Sequence, residues 1–271
     1  MDFRSVEYRP GVVARVILNR PERHNAQSLE LLTEMEQAFN AAVEDPKCRV
    51  IVLSGAGRSF SAGHDLRSPE HVEQMSQRLS NLDPFPRSSV TWDVYVNSHL
   101  RWRDLQKPTI AMVHGWCIFG GWMIAAAMDF IFAAEDAKFI PVYGDYFTAP
   151  WDVGPRRAKQ ILFGNHFIGA GKAMEWGFVN EVFPPDELEA ETLKYAERVA
   201  EHDSFTLRQI KFAINQTMDG MGFTQSVRAV GGSFIRRPGN AADGSSTGQR
   251  MQSQVDRAMA QLREDSQTEE S

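Results

Sequence analysis

The most constraining feature of the sequence is a long apolar stretch at residues 109–134, interrupted by the glycine pair Gly120-Gly121. Its first part, TIAMVHG, is nearly free of charge, as expected of a strand that is buried on both faces. About twenty mostly apolar residues follow from Gly115, which is the length that a membrane span requires. Two early glycines and Asp129 within the run argue against a span. The stretch therefore predicts a buried helix followed by a buried strand.

Similar apolar runs elsewhere in the chain alternate with helical patterns. Strands are predicted for runs that are rich in Val, Ile and Phe: VVARVIL (12–18), RVIVLSG (49–55), TIAMVHG (109–115), DFIFAA (129–134) and GFVNEVF (177–183). A helix is predicted between Ser28, which can cap its start, and Pro46, because apolar residues recur there at helical spacing. Strands that alternate with helices predict a layered α/β domain.

A change of pattern near residue 186 separates the predicted regions of the chain. Residues 1–185 are expected to form the α/β core, within which the segment 67–100 lacks a clear period and is interpreted as a mobile or partly helical lid. Residues 186–265 contain successive amphipathic helices, the last of them at 246–265, and such a region often supplies oligomer contacts. Residues 266–271 are read as a polar tail.

Charge and cysteine content exclude several classes of function. The chain has 271 residues and a formal net charge of −6, without the clustered basic residues that a nucleic-acid surface requires. Cys48 and Cys117 lie far apart among apolar neighbours, which is typical of reduced thiols in a cytoplasmic protein. The histidines show no metal spacing, and the N-terminus shows no signal peptide. We therefore expect a cytoplasmic protein that binds no metal, nucleic acid or membrane.

Two glycine-containing turns follow predicted strands, at SGAGRSFSAGHDL (54–66) and at HGWCIFGG (114–121). The first fails as a dinucleotide fingerprint because Phe60 occupies the place of the third glycine. The segment GNHFIGAGKA (164–173) fails as a phosphate loop, because Ala173 stands where Ser or Thr is needed. Adjacent strands could instead bring the two turns together, so that two backbone N–H groups address one oxygen atom. Such a pair of donors is an oxyanion hole.

Four motifs in order along the chain resemble the crotonase superfamily, also called the enoyl-CoA hydratase/isomerase family. They are ILNRPERHNAQSLELL, VIVLSGAGRSFSAGHDL, KPTIAMVHGWCIFGGWMIAAAMDFIFAAEDAKF and AMEWGFVNEVFP, within residues 5–260. The resemblance implies an α/β fold, a spiral of ββα turns with a helical C-terminal region. It also implies homotrimers, often paired into hexamers, and an acyl-CoA thioester as substrate, with no cofactor besides that coenzyme A.

The resemblance assigns the two oxyanion donors to the backbone N–H groups of His64, in Ala62-Gly63-His64-Asp65, and of Gly120. The loop Arg23-His24-Asn25-Ala26 is expected to contact coenzyme A. Since the donors are backbone groups, the imidazole of His64 is expected to be structural or to line the substrate pocket. The predicted substrate-binding residues are Asn25, Ala26, Ala62, Gly63, Asp65, Trp116, Phe119, Met123 and Trp151.

The chain departs from the family at the two glutamates that hydratases use. Those positions hold Met123 and Tyr143. Methionine has no acid group, and an ordinary tyrosine keeps its proton at neutral pH. General acid–base catalysis contributes about 10²–10⁴ per group, so the standard hydration reaction is expected to be largely lost. The segment KPTIAMVHGWC is similar to the hydratase-lyase branch that acts on hydroxycinnamoyl thioesters, but that branch keeps the second glutamate.

Other side chains could take over the proton transfer. Asp152 lies one residue beyond a place where some relatives carry a carboxylate, although it could instead cap the next helix. Asp145 could act as acid or base or serve only its turn, and Tyr143 could donate a hydrogen bond to substrate. His99 could approach from the lid side or be a core or surface residue.

The sequence leaves three functions open. The first is a lyase, hydratase-like or isomerase reaction on an unusual acyl-CoA. The second is hydrolysis of a C–C bond in a β-diketone-like substrate, which needs the same oxyanion hole. The third is a non-catalytic acyl-CoA-binding subunit that has lost its acid and base.

Overall fold

The structure, a computed structural model, describes residues 2–65, 68–80 and 92–235, together with residues 256, 257 and 260. A six-stranded sheet in the order β1-β2-β3-β4-β6-β9 forms its centre, and a second sheet has the order β5-β7-β8. The strands are β1 (Val6–Arg9), β2 (Val13–Leu18), β3 (Val50–Gly55), β4 (Thr109–Val113), β5 (Trp116–Ile118), β6 (Phe130–Ala134), β7 (Lys138–Ile140), β8 (Ile168–Gly169) and β9 (Glu181–Phe183). The mixed α/β class predicted from the alternating pattern is confirmed.

The described helices lie between the strands and then succeed one another after β9. They are α1 (Leu29–Glu44), α2 (Pro69–Ser80), α3 (Ser98–Arg103), α4 (Gly120–Ala126), α5 (Ala149–Asp152), α6 (Pro155–Gly164), α7 (Ala170–Glu175), α8 (Leu188–Ala200), α9 (Ser204–Gly220) and α10 (Phe223–Ile235). A 3₁₀ turn covers Pro21–Arg23, and a π-helical turn covers Asp93–Asn97.

The large sheet is buried on both faces because its strands from β2 to β9 run parallel and only β1 is antiparallel. On β3, Ile51 and Leu53 face the main core, which includes the apolar side of α1. Val50 and Val52 face the opposite layer, in which they pack with residues of α8. This two-sided burial explains why the predicted strands show no alternation of polar and apolar residues.

Helix α1 follows its sequence signals. The Leu31 amide donates to the Ser28 hydroxyl at 3.2 Å, which is the predicted N-cap, and the helix ends at Glu44, ahead of Pro46. The apolar stretch at 109–134 also folds as predicted, with buried α4 followed by β6. Among the described residues, no helix combines the length and the apolarity needed to cross a bilayer.

The structure differs from the sequence prediction at several short elements. Strands β5, β7 and β8 were not predicted, because two or three residues are too few to show a period. The strand predicted for 177–183 is limited to β9, since Gly177 adopts a positive φ of 88° ahead of it. The described parts of 67–100 are helical, whereas most of the helix predicted at 246–265 lies outside the described residues.

Asn25 ties together the loops that follow β2 and β3. Its Oδ1 accepts from the Arg20 amide at 2.9 Å, and its Nδ2 donates to the carbonyl groups of Ala56 at 2.9 Å and Ser59 at 2.7 Å. The residue is 0% exposed and has a φ of 52°, which asparagine tolerates better than most residues. The buried side chain thus makes three hydrogen bonds with backbone groups of the two loops.

We predict that Asn25→Ala lowers the free energy of unfolding by about 2–4 kcal/mol, because it leaves buried backbone groups without partners. Chemical denaturation measures the change. The control is Asn40→Ala on the exposed side of α1, for which we expect a change within about 0.5 kcal/mol. Equal effects of the two substitutions would contradict the role assigned to Asn25.

Candidate active site

Two turns at the carboxyl ends of neighbouring parallel strands lie against each other. The first, Ala62–Asp65, comes after β3, and the second, at Phe119 and Gly120, comes after β4 and β5. Isolated bridges of Gln27 with His64 and of Ser61 with Cys117 hold the first turn in place. The topology of the sheet therefore brings together two segments that lie more than fifty residues apart in the sequence.

The contact between these turns is close enough that only glycine fits. A Cβ on Gly63 would lie 2.9 Å from the Gly120 nitrogen, and a Cβ on Gly120 would lie 3.1 Å from the His64 nitrogen. With standard bond lengths, the second distance puts the amide nitrogens of His64 and Gly120 at most about 5.6 Å apart. Two N–H donors that share one oxygen can lie up to about 5.8 Å apart. The spacing is therefore compatible with two donors on one oxygen atom.

Neither of these two amides donates a hydrogen bond to any residue that the structure describes. Gly120 is the first residue of α4, so its N–H has no partner within the helix. Phe119 before it has a φ of 53°, an unusual conformation for a non-glycine residue, and donates its own N–H to Ile140. This strained residue orients the following peptide, as is common at functional sites.

The residues around the first turn mostly build it rather than face a ligand. Asp65 binds Arg20 Nη1 at 2.9 Å and accepts from the Ser68 amide at 2.9 Å. Burial raises the pKa of Asp65, but these hydrogen bonds outweigh it and lower the pKa overall. The side chains of Asn25 and Asp65 are buried and bonded within the protein, and a contact of these two residues with a ligand stays a prediction. Ala62 is half-buried at the same turn.

His64 and Asp145 form a buried pair beside the two amides. The His64 Nε2 and the Asp145 Oδ2 lie 3.6 Å apart, and the side chains are 3% and 17% exposed. Burial lowers the pKa of His64 to about 4, with a smaller contribution from His71, and raises the pKa of Asp145 to about 7. The imidazole stays neutral, whereas the carboxyl group can both bind and release a proton near neutral pH.

Asp145 reaches this position through an unusual turn. Gly144 has a φ of 138° and Asp145 a φ of 44°, which aspartate tolerates better than most residues. Helix α10 packs on the loop, since a Cβ on Gly231 would lie 3.4 Å from the Asp145 carbonyl oxygen. The sequence pattern was compatible with a simple turn at Asp145. The tertiary contact with His64 is what places the Asp145 carboxyl group at the candidate site.

Asp152 does not cap a helix, and that alternative was wrong. It is the last residue of α5, and the residue at the start of α6 is Gly154, which makes no side-chain cap. The Asp152 Oδ2 accepts from Trp122 Nε1 at 2.8 Å and from the Thr148 hydroxyl at 2.6 Å. Burial raises the pKa of Asp152 to about 6, against the effect of these two hydrogen bonds.

Asp152 borders a cavity of about 520 Å³ that also contacts α8 and α9. The cavity also includes Met128 and Asp129, which follow the C-terminal end of α4. Gly120, one of the two residues whose amide has no partner among the described residues, lies at the N-terminal end of that helix. Trp151 borders the same cavity and donates its indole N–H to Ser226 at 2.9 Å. Trp151 and Asp152 thus border a cavity at the C-terminal end of α4, while the Asp152 carboxyl group also contacts Trp122 in the first turn of that helix.

The two positions that replace the family glutamates differ in their surroundings. Met123 is buried in the core on α4, and its side chain carries no acid group. Tyr143 is 48% exposed and borders an apolar cavity of about 380 Å³ together with Phe119 and Phe147. Trp116 lies near the first turn, with its ring 4.7 Å from that of His24.

Several buried polar residues near the site were missed by the sequence analysis. The Gln27 Oε1 would lie 2.6 Å from a Cβ on Gly120 and has no hydrogen-bond partner among the described residues. The ring of Tyr95 lies 4.7 Å from that of His64, and its hydroxyl is 3.4 Å from His71 Nε2. Gln27 lies within the first quoted motif, next to Asn25, so its position could have drawn attention. Tyr95 had no such signal, because it falls in the segment without a period.

Comparison with known proteins agrees with this geometry. The profile of the enoyl-CoA hydratase/isomerase family matches residues 9–232. A Mycobacterium tuberculosis protein named as enoyl-CoA hydratase EchA13 is 37% identical over 80% of this chain and 74% of its own length. Hydroxycinnamoyl-CoA hydratase-lyase from Pseudomonas fluorescens is 34% identical over 76% of this chain and 75% of its own length.

A solved structure shares the fold over most of the chain. It is an enoyl-CoA hydratase/isomerase from Xanthobacter autotrophicus Py2, with a TM-score of 0.78 and 32% identity, covering 86% of this chain and 87% of its own. The profile match includes both turns of the candidate site and extends through most of the helical region. The chain therefore belongs to the enoyl-CoA hydratase/isomerase family of the crotonase superfamily.

Proposed function

We propose that this protein is an enzyme that binds an acyl-CoA thioester and stabilises its enolate with the backbone N–H groups of His64 and Gly120. The observation that carries the proposal is the close contact of the two glycine turns, which leaves both amides without a partner among the described residues. Backbone donors held rigidly at a developing negative charge stabilise it without further reorganisation. No cofactor beyond the coenzyme A of the substrate is needed for this step.

Asp145 is the side chain that we assign to proton transfer. Its carboxyl group contacts the imidazole of His64, and the backbone amide of His64 is one of the two proposed donors. The side chain of His64 therefore links the acid group to the proposed position of the thioester carbonyl. A pKa of about 7 allows the group both to take a proton from carbon 2 and to return one at neutral pH. His64 remains neutral and positions the carboxyl group.

The reaction that fits this arrangement is a lyase, isomerase or hydratase-like step with one acid–base group, rather than the standard addition of water with two glutamates. The buried Met123 and the half-exposed Tyr143 supply no carboxylate. The relatives support this choice, since their names, hydratase and hydratase-lyase, describe addition and elimination reactions on CoA thioesters. C–C bond hydrolysis would use the same two amides.

Binding of coenzyme A is assigned to the outer side of the first turn. His24 and Trp116 are half-buried there with their rings 4.7 Å apart and tilted by 30°, and Arg23 beside them is exposed. A guanidinium group at this position would meet the negative charge of the coenzyme. Ala26 lies half-buried in the same loop.

We also propose that the chain assembles into a homotrimer, or into a dimer of trimers, in the cytoplasm. Helix α9 supports this, because Phe205, Ile210, Phe212 and Ile214 are exposed on it and it has no buried residue. Apolar area of this kind is commonly covered by another subunit.

Crotonyl-CoA tests the loss of the glutamates. We predict hydration at a rate about 10²–10⁴ lower than that of a family member with both glutamates, because a general acid–base group is missing. The disappearance of the absorbance of the conjugated thioester measures the rate. Comparable rates for the two enzymes would overturn the assignment of Met123 and Tyr143.

Gly120→Ala tests the oxyanion donors. The added Cβ would lie 2.6 Å from Gln27 Oε1 and 3.1 Å from the His64 amide, so the two turns must separate. We expect the exchange of the carbon 2 protons of butyryl-CoA in D₂O, followed by NMR, to fall by about 10²–10³. Gly171→Ala is the control, since nothing lies within 4 Å of its Cβ, and its exchange rate should match the wild type. Unchanged exchange in Gly120→Ala rejects the donor.

Asp145→Asn and Asp152→Asn distinguish the two buried carboxyl groups. If ionised Asp145 is the base, wild-type exchange rises with pH and levels off above about 7, where that carboxyl group has lost its proton. Asp145→Asn should lower the rate by about 10²–10⁴ and remove this rise. Asp152→Asn should keep both the wild-type exchange rate and its rise with pH, because an amide oxygen still accepts from Trp122 and Thr148.

The reverse result would make Asp152 the base and remove Asp145 from the mechanism. Binding of butyryl-CoA without any proton exchange by the wild type would instead identify a non-catalytic acyl-CoA-binding subunit.

A further inference from the structure

A second pair of buried polar side chains, His99 and Tyr146, neighbours His64 and Asp145. His99 follows Tyr95 by one helical turn, and Tyr146 follows Asp145 in the chain. Their rings stack at 5.1 Å with an angle of 20° between the planes. Both residues are almost fully buried, and the mechanism proposed above uses neither of them.

Each ring carries one polar atom that lacks a hydrogen-bond partner among the described residues, the His99 Nε2 and the Tyr146 hydroxyl. Buried polar atoms in folded proteins nearly always have a partner. Two unpartnered atoms on stacked rings are therefore suited to bind a polar group that the described residues do not supply.

The hydrogen bonds of Ser98 determine which form of His99 is present. The Ser98 hydroxyl has one hydrogen and donates it to the Val94 carbonyl at 2.6 Å. Its contact with the His99 Nδ1 at 3.3 Å therefore requires that Nδ1 carry a proton and donate it. In a neutral ring, Nε2 is then an acceptor with a free lone pair.

The surroundings keep both side chains uncharged. Burial lowers the pKa of His99 well below its usual value, and repulsion from His64 adds to this effect. Burial also raises the pKa of Tyr146 far above its usual value, so the hydroxyl keeps its proton. A neutral acceptor beside a neutral donor is suited to a hydroxyl group, which donates and accepts, whereas a carboxylate could only accept and would leave the His99 Nε2 without a donor.

We propose that the acyl group of the substrate carries an uncharged hydroxyl that donates to the His99 Nε2 and accepts from the Tyr146 hydroxyl. This assignment rests on the proposed function, since it places the acyl group behind the thioester carbonyl that His64 and Gly120 bind. A site built to bind a hydroxyl discriminates strongly against the analogue that lacks it, because the buried partners are then left unpaired.

Matched pairs of unreactive thioesters test the proposal by isothermal titration calorimetry of the full chain. One set is 3-phenylpropanoyl-CoA with its three ring-hydroxylated counterparts, and the other is hexanoyl-CoA with its 5-hydroxy and 6-hydroxy counterparts. We expect at least one hydroxylated compound to bind about tenfold or more tightly than its parent. Equal or weaker binding of every hydroxylated compound would overturn the proposal without any variant.

Four variants then locate the contact. His99→Phe and Tyr146→Phe should each reduce the preference for the hydroxyl to less than about threefold while binding the parent compound as before. His99→Gln, which retains an acceptor, should restore part of the preference. Trp102→Phe is the comparison, because its ring lies 4.6 Å from that of His99 and its N–H also lacks a partner among the described residues but lies outside the stacked pair; its preference should match the wild type. A preference that survives in His99→Phe or in Tyr146→Phe would contradict the assignment.

The outcomes separate this proposal from the proposed function. If parent and hydroxylated thioesters bind equally and butyryl-CoA still exchanges its carbon 2 protons, only the hydroxyl site is wrong. If no thioester binds, the proposed function is wrong, and the hydroxyl site fails with it. Circular dichroism melting of each variant confirms that a loss of preference occurs in a folded protein.

Discussion

The arrangement of the site depends on the contact between two backbone turns in which no side chain can be accommodated. A methyl group on Gly63 would meet the Gly120 nitrogen at 2.9 Å, and one on Gly120 would meet Gln27 and His64. Because the proposed donors are peptide groups, their positions are set by the sheet and by the hydrogen bonds of Asn25 and Asp65. The residues that build the turns are therefore as important to the site as those that face a ligand.

Burial shifts the acid and base groups of this site in opposite directions. Removing a charged group from water lowers the pKa of an imidazole and raises that of a carboxyl group. The result is a neutral His64 beside Asp145, whose pKa of about 7 is suited to exchange of protons. We propose that a single aspartate in this environment takes on the proton transfer for which the family resemblance implies glutamates. This would explain how the fold and the turns persist while Met123 and Tyr143 occupy the two glutamate positions.

Burial also keeps His99 and Tyr146 uncharged, and this bears on the substrate that we propose. His64 and Asp145 form one buried pair, and the stacked rings of His99 and Tyr146 form a second pair. The first pair is suited to moving a proton, and the second is suited to recognising a neutral hydroxyl. Both pairs join a helix or turn from one part of the chain with the loop at 144–147, so this loop connects the proposed chemistry with the proposed specificity.

The sequence by itself determined the α/β class, the long strands, the first helix and the positions of the two glycine turns. These features follow from local periodicity and from backbone conformations that only glycine allows, and both can be read from neighbouring residues. It also showed that two glutamates are absent. Short strands such as β5 and β8 could not be predicted from the sequence, since they exist only through pairing with distant segments.

Tertiary structure alone decided which polar side chains share the site. Asp145 and Asp152 lie seven residues apart and look equally plausible in the sequence, yet one contacts His64 and the other contacts Trp122 and Thr148. Asn25 and Asp65 proved to be supports of the turns. The roles of His99 and Tyr146 depend on the stacking of a helix against a loop more than forty residues away. Such roles arise from burial and from distances between remote segments, and no local pattern encodes them.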